Sequence, residues 1–161
     1  MARIIVGVMG GSRATPETAA LARELGERIA GQGWVLLNGG RGSGVMDASA
    51  AGAKQAGGLT LGILPDRGPG EESEHLDLCV YTGIADARNL INVLSSQVVF
   101  ACQGEGGTLS EIALAVKNRR PTILVGWDAG NSFAQYEDEG LLHRADTAEQ
   151  AVALARTLID G

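Results

Sequence analysis

The chain has 161 residues, a formal charge of −6 and two cysteines, a size that fits one domain over residues 1–161. Hydrophobic residues make up 45% and charged residues 20%, enough for an ordinary core, but with only 2 Trp, 2 Tyr and 2 Phe that core must be aliphatic. No basic run offers a grip on duplex phosphates, and no apolar stretch reaches the ~18 residues of a membrane span. The amino terminus runs straight into Ile4-Ile5-Val6 without a secretory leader, so the expectation is a cytoplasmic protein with neither nucleic acid nor membrane as partner.

Apolar runs of strand length alternate with segments of helical period. The strands are expected at Arg3–Val8, Trp34–Leu37, Leu59–Leu64, Leu78–Thr82, Val98–Cys102 and Thr122–Val125. Most are continuously apolar, as strands covered on both faces are. The first helix carries its own punctuation: Thr15 as cap, Pro16 in the first turn, a stripe of Leu21, Ala22, Leu25 and Ile29, and Gly31 with Gly33 as the stop. Further helices are expected at about Gly44–Gln55, Asp86–Ser95, Thr108–Asn118 and Thr147–Ile159. This order implies an α/β fold, a Rossmann-like three-layer sandwich with a mostly parallel sheet of about six or seven strands and helices on both faces. Pro65–Asp77 reads as a solvated acidic loop, and Gly126–Arg144 as a surface excursion that could serve as a lid. Cys79 and Cys102, far apart in apolar settings, read as buried free thiols.

Glycine is the outlier at 24 residues, about 15% and roughly twice average usage. Its positions matter more than its number. Gly10-Gly11-Ser12 follows the first strand, and Gly39-Gly40-Arg41-Gly42-Ser43-Gly44 the second. Gly83 and then Arg88 follow the fourth, and Gly104-Glu105-Gly106-Gly107-Thr108 the fifth. All lie at strand carboxyl ends, where an open parallel sheet binds ligands, and three lead into helix amino termini whose free N–H groups suit an anion. Arg13, Arg41 and Arg88 on the same edge suggest a locally positive rim. A phosphorylated small molecule is the natural occupant, with Asn89 and Asn92 also in reach. NAD is disfavoured, because the first turn lacks the Gly-x-Gly-x-x-Gly register and the second strand ends at Asn38 rather than a carboxylate. No Walker-type P-loop occurs. His75 and His143 are isolated, and Glu71-Glu72-Ser73-Glu74-His75 reads as a hydrated loop, so no protein-ligated metal is expected.

At these loops the chain resembles the Lonely Guy (LOG) phosphoribohydrolase superfamily. LLNGGRGSGVMDA matches its GG-x-x-G-[LV]-M block, and QGEGGTLSE at 103–111 its PGGxGTxxE signature. Within that superfamily the chain is most similar to the molybdenum cofactor carrier proteins, through VGVMG at 6–10, GWVLLNGGR at 33–41, GAKQAGGLTLGILP at 52–65 and ADARNLINVLSS at 85–96. The likeness runs from Ile4 to about Gly126. It implies a homodimer or homotetramer that holds molybdenum cofactor, a phosphorylated pterin, for molybdoenzymes. The alternative it implies is hydrolysis of the N-glycosidic bond of a nucleoside 5′-monophosphate, with Arg88 and Glu111 at the catalytic positions; a nucleotide sensor without chemistry is a third. Gln103 and Glu105 stand where the signature has Pro and Gly, and Asn89 stands where the enzymes have Lys. Glu111 also has a purely structural reading, as the carboxylate of a capping box begun by Thr108. The superfamily's older lysine decarboxylase label finds no support, since Lys54 and Lys117 lie on helices away from the edge and no pyridoxal phosphate site is evident. Finally, Leu109–Val116 is apolar almost all round, and Leu90, Ile91, Val93 and Leu94 crowd the third helix. Both helices are expected to bury an outer face against another subunit.

Overall fold

The computed structural model describes residues 1–161. In chain order the elements are β1 (Ile5–Met9), α1 (Pro16–Gly31), β2 (Val35–Asn38), α2 (Gly44–Gln55), β3 (Thr60–Leu64), β4 (Leu78–Tyr81) and α3 (Arg88–Leu94), the last entered through a 3-10 turn at Ala85–Ala87. There follow β5 (Val98–Ala101), α4 (Gly106–Lys117), β6 (Thr122–Val125), α5 (Ala134–Asp138) after a 3-10 turn at Asn131–Phe133, β7 (Leu142–Ala145) and α6 (Ala148–Asp160). The seven strands form one sheet in the order β4-β3-β2-β1-β5-β6-β7, and every pairing is parallel. The expected α/β class and doubly covered sheet are what the chain adopts.

Strand alternation divides the core. Val6, Val8, Leu36, Val98 and Phe100 face α1, α2 and α6, where Ala22, Leu25, Ile29, Val45 and Val152 complete the larger cluster. Met9, Leu37, Ile63 and Val99 face α3 and α4, against Val93 and Ala115. Helix boundaries follow local chemistry. The Thr15 hydroxyl accepts from Thr18 N–H at 3.1 Å and Thr147 from Gln150 N–H at 3.2 Å, so α1 and α6 start at side-chain caps. Helices α1 and α2 cross with their backbones touching, because a Cβ on Gly26 or Gly52 would run into the Ser49 or Arg23 carbonyl of the facing helix.

Two expectations need correction. The Gly126–Arg144 stretch is not a plain excursion: it contains α5 and most of β7, and its Trp127, Phe133 and Tyr136 pack on Ala101, Ile112, Leu124 and Leu142. The Trp127 indole N–H donates to the Ala101 carbonyl at 2.7 Å, which pins the segment to the β6–β7 side of the sheet. Cys79 is only half-buried, on edge strand β4, while Cys102 is fully buried; both are free thiols.

Candidate functional site

The sheet runs outward from β1 in both directions, with β2 on one side and β5 on the other, so the chain order reverses between β1 and β5. A crevice of about 190 Å³ opens outside their carboxyl ends, at the place this topology favours for ligands. Main-chain bonds between the glycine turns build it. Gly11 N–H donates to the Gln103 carbonyl at 3.1 Å, tying the β1 turn to the β5 turn, and Val45 N–H donates to the Gly11 carbonyl at 3.0 Å, tying both to α2. Asn38, fully buried at the end of β2, shapes the second turn: its Oδ1 accepts from Gly40 N–H at 2.8 Å, while its Nδ2 donates to the Met46 carbonyl at 2.8 Å and to Ser49 Oγ at 3.2 Å.

Of the residues singled out from the sequence, Gly10, Gly11, Ser12, Gly39, Arg88, Asn89, Gly107, Thr108 and Glu111 line this crevice together. The others do not. Gly40, at φ +82°, lies beneath the Leu64 side chain; Gly42 packs against Glu72; Gly44, at φ +57°, sits on the Gly11 carbonyl. Gly104 lies against Gly11 and Thr108, where a Cβ would stand 2.8 Å from Gly11 N, and Gly106 opens α4 just outside the lining. These glycines shape the turns from behind. Asn92 is fully buried behind Glu111 rather than in the lining. Sequence reasoning missed Val8, Met9, Met46 and Asp86, which also line the crevice. Only their nearness to the glycine turns could have marked them.

The expected positive rim is absent, because each arginine is already engaged. Arg13 pairs with Glu105 at 2.6 Å, and Arg41 with Asp66 at 3.0 Å and Glu71 at 3.8 Å. Arg88 directs Nη1 at the carbonyls of Gly39 (2.5 Å) and Ile63 (2.6 Å), and burial pulls its pKa below the usual guanidinium value. The charged side chains lining the crevice are Asp86, Glu105 and Glu111 against Arg88 alone. Any attraction for an oxyanion therefore rests on main-chain N–H groups. The first intrahelical bond of α4 runs from Leu109 N–H to the Glu105 carbonyl at 3.0 Å, so the Gly106, Gly107 and Thr108 amides precede the helical ladder at its positive end.

Glu111 is placed by tertiary packing, not by a cap. Helix α4 begins at Gly106 after Glu105, two residues earlier than expected, so Thr108 lies inside the first turn and no capping box forms. The Glu111 side chain is buried, 7% exposed, and its Oε1 accepts from Asn92 Nδ2 at 3.2 Å. Burial pushes its pKa up to about 7, against the opposing pull of Asn92 and the Arg88 charge.

A second, more open cavity of about 670 Å³ adjoins the first at Ser12, between the amino-terminal halves of α1 and α2. Ala19, Ala20, Ala48 and Ala51 floor it, with Arg13, Arg23, Asp47 and His75 at its edge. No three His, Cys, Asp or Glu side chains gather at metal-binding distance, and no helix is long and apolar enough to cross a membrane.

The model of the SLOG cluster4 family matches residues 3–152. The molybdenum cofactor binding protein of the phototrophic bacterium Rippkaea orientalis is 43% identical, with 99% of each chain covered and a TM-score of 0.90. The molybdenum cofactor carrier protein of Chlamydomonas reinhardtii is 39% identical over 99% of this chain and 100% of that one, also at 0.90. A cytokinin riboside 5′-monophosphate phosphoribohydrolase of Mycobacterium tuberculosis is 35% identical over 98 residues, 60% of this chain and 52% of that protein.

Proposed function

The chain belongs to the SLOG cluster4 family, and we propose that it is a cytoplasmic carrier that holds molybdenum cofactor, a phosphorylated pterin, without turning it over. One observation carries the reading: the likeness to proteins named for binding or carrying that cofactor spans 99% of the chain at 39–43% identity. The crevice at the β1–β5 reversal supplies a seat. Its free α4 amides and the Gly10–Ser12 turn would receive the phosphate, and the Met9 and Met46 thioethers offer an apolar wall to a flat ring. At about 190 Å³ it is smaller than the roughly 300–1,000 Å³ of sites that enclose a drug-sized ligand. The rest of the cargo would then project past Ser12 toward the alanine-floored groove.

The same reading includes self-association and delivery to molybdoenzymes. Leu78, Val80, Leu90, Ile91, Leu94 and Leu109 are large apolar residues left exposed, and all belong to β4 or to the α3–α4 layer. An apolar face of that kind marks an interface between copies.

Phosphoribohydrolase activity is the second reading, favoured by the burial of Glu111 and Arg88 beside one crevice. Against it stand Arg88, whose Nη1 is committed to two carbonyls, and Asn89, which donates to Ser110 Oγ at 3.1 Å and brings no charge where the enzymes have Lys. The test pairs two assays on the purified protein. Released molybdenum cofactor should co-elute with it and keep its ability to reconstitute an apo-molybdoenzyme, while AMP and cytokinin ribotides release no base. Base release that Glu111→Ala abolishes, without cofactor retention, overturns the carrier reading.

A further inference from the structure

The crevice poses a chemical problem for an anionic cargo: three carboxylates and one committed arginine line it. One of those carboxylates, Glu111, is set apart by its surroundings. It is nine-tenths buried, faces the crevice, and receives a single hydrogen bond, from Asn92 Nδ2 to Oε1. No protein donor reaches Oε2, and no cation lies within ion-pair distance of either oxygen. Oε2 opens onto the crevice, free to accept from a bound molecule. Val8, Met9 and Met46 are the apolar side chains of the same lining, and they offer contact to the face of a flat heterocycle.

We infer that Glu111 selects the ring of the bound molecule, its carboxylate accepting the two adjacent N–H donors of a 2-amino-4-oxopyrimidine edge. The inference rests on the carrier reading for the identity of the cargo, but its chemistry is independent of it. A carboxylate presents only acceptors, so it matches an edge that presents two donors side by side. Pterins carry that edge, and so does guanine. Adenine does not, because its amino group is flanked by ring-nitrogen acceptors, and a carboxylate facing it would meet a lone pair. The site would therefore prefer pterin and guanine rings over adenine, the opposite of what an AMP-hydrolysing pocket requires. Burial sharpens the choice, since the mismatched ring leaves a desolvated carboxylate unpaired.

The experiment uses the intact protein and four probes: neopterin, GMP, AMP and inorganic phosphate, titrated by calorimetry at about pH 8.5, where Glu111 is ionised, into wild type and Glu111→Gln. The wild type should bind neopterin and GMP at least about tenfold more tightly than AMP. The amide of Glu111→Gln offers one donor and one acceptor, so neopterin and GMP should weaken by about tenfold or more while phosphate does not weaken. Equal affinity of the wild type for GMP and AMP overturns the inference and needs no variant, so the test stands even if Glu111→Gln misfolds. Unchanged neopterin binding in a folded Glu111→Gln overturns it as well. The two readings fail separately. Retention of molybdenum cofactor without ring selectivity leaves the carrier standing and removes this role for Glu111. Ring selectivity through Glu111 without cofactor retention does the reverse.

Discussion

Gly107 gives the sharpest probe of the oxyanion seat, because there stability and binding should move in opposite directions. It lies in the first turn of α4 and lines the crevice, yet a Cβ built on it meets no atom within 4 Å. Gly107→Ala thus introduces no clash. Replacing glycine by alanine in a helix is worth about 0.5–1 kcal/mol, which for a chain of this size raises Tm by roughly 1–4 °C. The new methyl leans toward the helix amino terminus, as every helical Cβ does, and so stands where an anion must approach the α4 amides. Loss of one hydrogen bond to a charged group costs about 1.5–3 kcal/mol, or more than tenfold in affinity. Thermal melts should therefore show a small gain, while phosphate titration and cofactor retention show a loss of tenfold or more. A raised Tm with unchanged binding would refute the placement of the anion on α4.

Glu105→Gln should leave stability within about 0.5 kcal/mol, since its ion pair with Arg13 is exposed, and should tighten phosphate binding by removing a crevice carboxylate and releasing Arg13; weaker binding would show that Glu105 holds the turn in shape. Asn38→Ala orphans the Gly40 amide and leaves the Met46 carbonyl with Ser49 Oγ, and should cost about 1–3 kcal/mol in urea melts, with crevice binding lost alongside. Glu111 should also make stability depend on pH. Its folded pKa of about 7 exceeds the ordinary 4.5, so the folded state holds more protons between those values. Stability from this group is full below about pH 4.5, falls as pH rises through 7 and then levels, a change of roughly 3 kcal/mol. Arg88 and Asp86 are the other charges on that side of the crevice. Comparing urea melts of wild type and Glu111→Gln at pH 5 and pH 8 isolates the slope; parallel profiles would refute it.

The fold was legible because its signals are local and repeated. Continuous apolar strands, the Thr15-Pro16 start of α1 and glycine at successive strand ends each point to one doubly covered parallel sheet, and each element agrees with its neighbours. The last strand was missed because Leu142–Ala145 contains His143 and Arg144, an edge pattern too polar for the apolar-run criterion. The site was legible as a place but less so as a surface. Glycine marks close approach without saying to what: Gly10, Gly39 and Gly107 face the crevice, whereas Gly40, Gly42, Gly44 and Gly104 take up neighbouring chain. The positive rim failed for a physical reason. Arginines were read as free charges, but the acids that engage Arg13 and Arg41 lie 92, 25 and 30 residues away in sequence, beyond any local pattern. The capping box failed similarly, because Gly106 and Gly107 let α4 start early, and Glu111 takes its partner from α3 instead.

The crevice is polar along α4, and that polarity separates holding from hydrolysis. Gly107 and Glu111 are one helical turn apart, about 6 Å along the axis, with unpaired amides at one end and a buried carboxylate at the other. A ligand with an anion at one end and N–H donors at the other satisfies both. N-glycosidic cleavage makes a different demand: it needs the acid beside the sugar carbon and a cation free to steady the departing charges. Arg88 is the one cation in the lining, and its Nη1 is spent on the Gly39 and Ile63 carbonyls, where it braces the β2 and β3 ends. Arg88 Nε, by contrast, is a buried donor without a protein partner. On the carrier reading, Arg88 would serve as a frame and Glu111 as a recognition edge.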